Sequence, residues 1–493
     1  FKSEKMTNFN EERMQPWRVE LRNSMKPKDR MAIARVKMPE LDPEYRSHTM
    51  KEEVNLGLTP EMALMESKRC IDCANPTCVQ GCPVAINIPK FIKNIERGEF
   101  LEAAKTLKET SVLPAVCGRV CPQEKQCEAQ CIHLKTKNEA VAIGYLERFA
   151  ADYERETGNI SIPEIAAPLH KKVAAVGSGP AGLAFAGDMA KMGYEVVLFE
   201  ALHEIGGVLR YGIPEFRLPN KIVDAEIRNL IAMGVHFVTN CIIGKTITID
   251  DLLAEDYKGI FIGSGAGLPR FMNIKGENLV GIMSSNEYLT RVNLMDAANP
   301  ESDTPVIKGK KVAVIGGGNT AMDAVRTARR LGAEKAMIVY RRTEQEMPAR
   351  VEEIKHAKEE GIEFMTLRNP IEYYGDKNGR VTHMLLQVME LGEPDASGRR
   401  SPVEVKGKTE LVEVDEVIVS VGVSPNPLIP QSVKGLEVTG RGTLVVNEET
   451  MQTSIPYIFA GGDIVRGGAT VILAMGDGRK AAKGMNEWIR SFT

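Results

Sequence analysis

Apolar positions along the chain recur with two different periods. In IPKFIKNIERGEFLEAAKTLKET (88–110) and AVAIGYLERFAADYERET (140–157) they return every three or four residues, the spacing of a helix with one buried face. After the linker GNISIPEIAAPLHKK the pattern changes to short apolar runs. Val173–Val176, Glu195–Phe199 and Ala336–Tyr340 predict strands, and a helical pattern follows the first and precedes the third. GIFIGSGAG (259–267) and DEVIVSVGVSPN (415–426) rise through β-branched residues to a glycine turn and predict crossings between two domains. Cys241, in VHFVTNCII, is expected to be a small buried hydrophobe. No apolar run approaches the roughly 20 residues that span a bilayer, so no membrane is expected.

At 493 residues the chain is too long for one core, and roughly two to four domains are expected. Hydrophobic residues at 43% and charged residues at 26% fit a globular protein in water. The net charge of −3, with no long basic run, argues against nucleic acid as the main partner. Phe1–Arg30 is polar and charged, without a signal-peptide apolar region, so a reducing cytoplasm is the expected compartment. Clustered cysteines there read as metal ligands or catalytic groups rather than disulfides.

Eight of the nine cysteines lie between positions 70 and 131. Cys70, Cys73, Cys78 and Cys82 run as C-x2-C-x4-C-x3-C-P, and Cys117, Cys121, Cys127 and Cys131 form a second set. Thiolates this close can wrap one corner of a cluster, and a cysteine before proline tends to serve a second one. Zinc would want two C-x2-C or His pairs, and only Cys70/Cys73 has that spacing. Two [4Fe–4S] cubanes fit the eight residues best.

Two dinucleotide fingerprints follow. Gly177, Gly179 and Gly182 form G-x-G-x-x-G after a strand and before a helix, and the next strand ends in Glu200, placed for a ribose hydroxyl. Gly316, Gly318 and Ala321 form the second copy, with Asn319 and Thr320 inside it. Its following strand ends in Arg341 and Arg342, where guanidinium groups can bind the 2′-phosphate of NADP. The first site is therefore expected to hold FAD or NAD, and the second NADPH. A late strand ending in Gly461-Gly462-Asp463 can return to the first domain and set Asp463 beside a flavin. That selects FAD. The flavin domain is then interrupted by the NADPH domain.

The motifs CGRVCPQE, VGSGPAGL, GGVLRYGIPEFRLP, VIGGGNTAMD, YRRTEQEMPA and AGGD, together with the eight cysteines, identify a resemblance. From about Met38 onward the chain resembles the small (beta) subunits of NADPH-dependent glutamate synthase and the large subunits of NADH-dependent reduced ferredoxin:NADP oxidoreductase. The electron-input half of dihydropyrimidine dehydrogenase is also similar. RVKMPELDPEYR and AIGYLERFAADYE look more like the ferredoxin branch.

The resemblance implies one cluster on Cys70, Cys73, Cys78 and Cys131. It implies a second on Cys82, Cys121, Cys127 and either Glu147 or Cys117, with Glu147 narrowly favoured. It also implies that Gly206, Gly207, Arg210 and Tyr211 lie by the flavin, that Gly212-Ile213-Pro214 forms a loop near its ring, and that Asp463 and Thr470 contact it. The fold expected is a multidomain α/β protein: an N-terminal all-helical iron–sulfur domain (1–160), then two interleaved Rossmann-like dinucleotide-binding domains. FAD would occupy 171–290 and 421–493, and NADPH 291–420.

The expected activity is NADPH oxidation through FAD, which alone can take a hydride and release single electrons to the clusters. No acid–base or nucleophilic residue is required. The length leaves no room for an FMN-carrying barrel, so the chain is expected to need a protein partner. That partner would be a glutamate synthase large subunit or, with possible electron bifurcation, the small subunit of ferredoxin:NADP oxidoreductase. A redox sensor without turnover and a self-contained homo-oligomer are the other readings.

Overall fold

The computed structural model describes residues 9–492. Its N-terminal part is helical. Helix Ile88–Glu96 begins where the Asn87 side chain accepts from the Lys90 backbone N–H, and Pro89 sits in its first turn. Ile88, Phe91, Ile92 and Ile95, at i, i+3, i+4 and i+7, are buried, as the period predicts. Helix Ile143–Thr157 packs on Pro114–Val120 and ends at the left-handed Gly158. Their facing residues enter one continuous core. It runs from Phe91, Leu107 and Leu146 to Phe185, Phe261 and Met475 of the next layer.

Two parallel five-stranded sheets follow. The first holds β1 (Lys172–Val176), β2 (Glu195–Phe199), β3 (His236–Val238), β4 (Tyr257–Ile262) and β15 (Ile458–Ala460), in the order β15-β4-β1-β2-β3. The second holds β6 (Ile282–Ser284), β7 (Lys311–Ile315), β8 (Lys335–Tyr340), β9 (Glu363–Thr366) and β13 (Glu416–Val419), in the order β6-β13-β7-β8-β9. Apolar clusters flank each sheet on both faces, so their strands read as near-continuous apolar runs.

β5 (Leu268–Pro269) and β14 (Val423–Ser424) pair antiparallel where the chain crosses between the sheets. β6 pairs with β13 and the helix after it packs on the same sheet, so residues 282–290 lie with the second sheet and not, as the sequence pattern predicts, with the first. Backbone pairing of a strand of three residues, not composition, decides that assignment.

Between β9 and β13 stands a three-stranded antiparallel sheet of β10 (Arg368–Gly375), β11 (Val381–Pro394) and β12 (Arg400–Glu413). The segment before the cysteines is bolted to the second sheet's helices. Buried Arg46 meets Glu360 at 3.0 Å and Glu359 at 2.8 Å, and Arg326 and Arg330 share the same Glu360. Among the described residues no helix is long and apolar enough to cross a membrane.

Candidate functional site: two nucleotide cradles and two cysteine cages

At the end of β1 the Gly177 N–H donates to Phe199 O at 2.8 Å, and the backbone turns through φ +97°. A Cβ on Gly182 would stand 1.9 Å from Gly177 O, so this helix start can approach the loop only as glycine. Glu200 is buried beside that loop. One of its oxygens accepts from the Ser178 N–H at 3.0 Å and from the Ser178 hydroxyl, and the other accepts from Leu202 N–H at 2.9 Å. Ser178 Oγ also accepts from Gly206 N–H at 3.0 Å. Ser178 thus ties the β2 carboxylate to the Gly206–Gly207 loop. Motif reading passed over it because it occupies a variable position between two required glycines.

The late strand β15 brings Gly462 and Asp463 to the same edge. The Gly462 N–H donates to Asp477 Oδ2 at 3.0 Å, and Arg466 pairs with Asp477 at 2.6 Å. Asp477, a buried residue in the long helix Val471–Arg490, carried no motif signal. Burial raises the Asp463 carboxyl above its ordinary range, the backbone at Ala469 opposing and Asp477 adding. Burial, with Asp463 and Glu200 adding, pushes the Tyr211 phenol up to about 12. Tyr211 and Asp463, both half-buried, therefore share one neighbourhood with buried Glu200. Thr470 caps the long helix by accepting from Leu473 N–H, and its hydroxyl also accepts from Gln126, next to Cys127, at 3.4 Å. Arg210, expected beside the flavin, has its guanidinium held by Asp224 and, at 3.7 Å, Glu204.

In the second cradle Gly316 turns through φ +142°, and a Cβ there would stand 2.2 Å from Ser420 O. Gly318 precedes helix Asn319–Arg330, Ala321 is fully buried in it, and Thr320 is exposed. Asn319 Oδ1 accepts from Arg350 N–H at 2.9 Å, and Arg350 in turn donates to Arg119 O and Gln123 Oε1 of the cysteine domain. The two arginines after β8 divide. Arg341 is exposed and makes no ion pair among the described residues, whereas Arg342 is buried, with its Nη2 on Asp395 at 2.8 Å. The pattern predicted two equivalent phosphate ligands. Packing against the β11–β12 hairpin commits one of them to the protein.

Cys70, Cys73, Cys78 and Cys131 line a single cavity of about 30 Å³, walled by Ile88, Ile92 and Val141. Burial raises the Cys78 thiol well above its usual range, and Cys70, Cys131 and Cys73 add to it. Burial likewise pushes Cys70 up to about 12. The other four cysteines act on one another and share Glu147 as a neighbour. Cys82 is pushed up to about 12 by burial, with Glu147 and Cys121 adding. Cys127 is raised by burial, and Cys82, Cys121 and Glu147 also act on it. Cys117 Sγ lies 3.5 Å from Met475 Sδ. Buried Glu147 has an Oε1 with no hydrogen-bond partner, and burial holds its carboxyl well above the usual range. Eight buried or half-buried thiols, six of which resist ionising alone, beside an orphaned carboxylate oxygen, fit cations that would offset both costs. Cys241 is a core residue by β3.

Residues 46–159 match the family of dihydropyrimidine dehydrogenase domain II, 4Fe-4S cluster, and residues 171–478 match the pyridine nucleotide-disulphide oxidoreductases. The chain is 38% identical over 433 residues to the glutamate synthase [NADPH] small chain of Escherichia coli (strain K12), covering 87% of this chain and 91% of that one. It is 36% identical over 439 residues to the NADP(+)-dependent formate dehydrogenase subunit beta of Moorella thermoacetica, covering 84% and 60%. FprA from Mycobacterium tuberculosis, solved in complex with NADPH, is 21% identical with a TM-score of 0.55, covering 65% of this chain and 85% of that chain, and shares the fold. With a 4Fe-4S domain packed onto paired nucleotide-binding sheets, and similarity along nearly its whole length, the chain belongs to the glutamate synthase small-chain family of NADPH-dependent flavin and iron–sulfur oxidoreductases.

Proposed function

We propose that this chain is the electron-input subunit of a larger enzyme, taking hydride from NADPH and releasing electrons singly to a protein partner. The bound groups, FAD and two [4Fe–4S] clusters, supply the conversion from two-electron to one-electron chemistry. Cys70, Cys73, Cys78 and Cys131 hold one cluster, and Cys82, Cys121, Cys127 and Glu147 the other. The unpartnered Oε1 supports Glu147 over Cys117. A carboxylate is a harder ligand than thiolate and shifts the potential of what it binds.

The glycine loop at 177–182 and the neighbouring Gly206–Gly207 loop bind the flavin pyrophosphate, with Glu200 toward the ribose and Asp463 and Thr470 at the returning helix. Tyr211 keeps its phenol proton at neutral pH, so it is a neutral donor in the flavin pocket. Gly316, Gly318, Asn319, Thr320 and Ala321 cradle the NADPH pyrophosphate, and Arg341 faces the 2′-phosphate. Residues 171–270 with 421–493 form the flavin domain, and 271–420 the NADPH domain. The relatives named as glutamate synthase small chains support a glutamate synthase large subunit as the partner.

The observation that carries this reading is the single core joining the cysteine helices to the first nucleotide sheet, with Gln126 bridging directly to Thr470. Electron transfer needs such short, rigid separations. Anaerobic stopped-flow with NADPH and then NADH, following flavin and cluster absorbance together, tests it. Flavin bleaching by NADPH followed by cluster reduction is expected. Bleaching by NADH alone would overturn the nucleotide assignment, and bleaching by neither would favour a sensor.

A further inference from the structure

We infer that Arg399, at the tip of the β11–β12 hairpin, is a second free guanidinium of the 2′-phosphate site, and that this hairpin is the arm conferring preference for the phosphorylated nucleotide. The inference rests on reading the second cradle as the NADPH site.

The hairpin leaves the domain between β9 and β13, yet its tip comes back to the carboxyl end of β8. That end of a parallel sheet is where ligands sit. Arg342, the second residue after β8, is the fastener. Its Nη2 donates to Asp395 Oδ2 at 2.8 Å and its Nε to Arg400 O at 2.8 Å, so both ends of the tip are pinned. The tip is itself rigid. Asp395 N–H donates to Arg399 O at 2.7 Å, and Asp395 Oδ1 accepts from the N–H groups of Ser397 at 2.8 Å and Arg399 at 3.3 Å. Gly398, at φ +78°, closes the turn.

This construction brings Arg399 to the end of β8, where Arg341 stands. Arg399 Nε donates to Ser397 Oγ at 3.0 Å, and Arg399 forms no ion pair among the described residues. Arg341 forms none either. Asp395, the acid of the tip, is taken up by Arg342. Burial lowers the Arg341 guanidinium from its ordinary value and the charges of Arg342 and Arg399 lower it further, with Tyr340 and Asp395 opposing. Two guanidiniums without ion pairs of their own, on a fixed frame, suit a dianion between them, because one phosphate can accept paired hydrogen bonds from more than one arginine. Adenosine nucleotides without the 2′-phosphate gain nothing from either group.

Binding of 2′,5′-ADP and of 5′-AMP to the purified full chain, measured by calorimetry, separates the outcomes. Arg399→Ala is expected to weaken 2′,5′-ADP about ten-fold and to leave 5′-AMP within about two-fold. In steady-state dye reduction the same variant raises KM for NADPH while kcat, and turnover with NADH, stay unchanged. Arg399→Lys restores part of the loss. Unaltered 2′,5′-ADP binding by Arg399→Ala, where Arg341→Ala loses about ten-fold, would overturn the role of the hairpin alone. If neither variant changes 2′,5′-ADP binding, the NADPH reading of the second cradle falls and takes this inference with it.

Discussion

Arg18 and Asp72, 54 positions apart, form a buried ion pair with Nη2 and Oδ1 at 2.6 Å. Asp72 lies between Cys70 and Cys73 in a left-handed conformation, φ +53°, which aspartate adopts more readily than most side chains. Arg22 takes its other carboxylate oxygen at 2.7 Å, and Arg13 Nε donates to its carbonyl at 2.7 Å. Three arginines of one N-terminal segment thereby set the shape of the first cysteine loop. Asp72→Ala leaves Arg18 buried without a counter-charge, a loss of about 3–5 kcal/mol. Iron per chain is expected to fall while flavin content holds, as paired iron and flavin assays would read. Full iron retention would show that the loop keeps its shape unaided.

Gly182→Ala sets a methyl 1.9 Å from the Gly177 carbonyl, and backbone on both sides must move. Because the proposed function makes that loop the flavin cradle, FAD per purified chain is expected to drop by most of its value. The absorbance ratio of flavin to protein measures it. The cysteine domain lies outside the loop, so iron content is the control.

Glu147→Ala and Cys117→Ser distinguish the two candidates for the last ligand of the inner cage. Loss or alteration of one of two reduced-cluster EPR signals is expected for Glu147→Ala, and an unchanged pair of signals for Cys117→Ser. The reverse result would move the ligand to Cys117.

Glu416 has its carboxyl pushed up to about 7 by burial, with the Gly309 N–H opposing and Asp415 adding. A folded-state value above the ordinary 4.5 means that the native protein holds this proton more tightly than the unfolded chain. Its contribution is therefore present at low pH and lost as pH rises through about 7, by up to about 3 kcal/mol. Glu416→Gln keeps an oxygen for Gly309 N–H and removes the charge. Thermal shift measured between pH 5.5 and 8 is expected to show a flatter fall for the variant than for the parent. Parallel curves would mean that Glu416 ionises freely in the fold.

Much of the site was legible before any coordinates, because its signals are short. A glycine fingerprint, its strand and its helix lie within about thirty residues, and the backbone geometry that requires glycine at 177, 182 and 316 acts within one turn. Cysteine spacings and the helix period of 88–96 are equally local, and β15 could be assigned to the first sheet from one apolar run ending in Gly-Gly-Asp. The hairpin was not legible. Register shifts at Gln387/Met389 and Leu391/Pro394 break the two-residue alternation that would announce a strand, and much of β12 faces solvent.

The chain alone thus determined its family of folds, the positions of two nucleotide cradles and the eight thiols, since each depends on neighbours in sequence. Only the tertiary structure decided that Arg342 is spent on Asp395 while Arg341 forms no ion pair among the described residues. It likewise decided that Ser178 links Glu200 to Gly206, and that residues 282–290 belong with the second sheet. Those outcomes depend on burial and pairing between segments far apart in sequence, and no local periodicity encodes which distant partner a charge or a strand will meet.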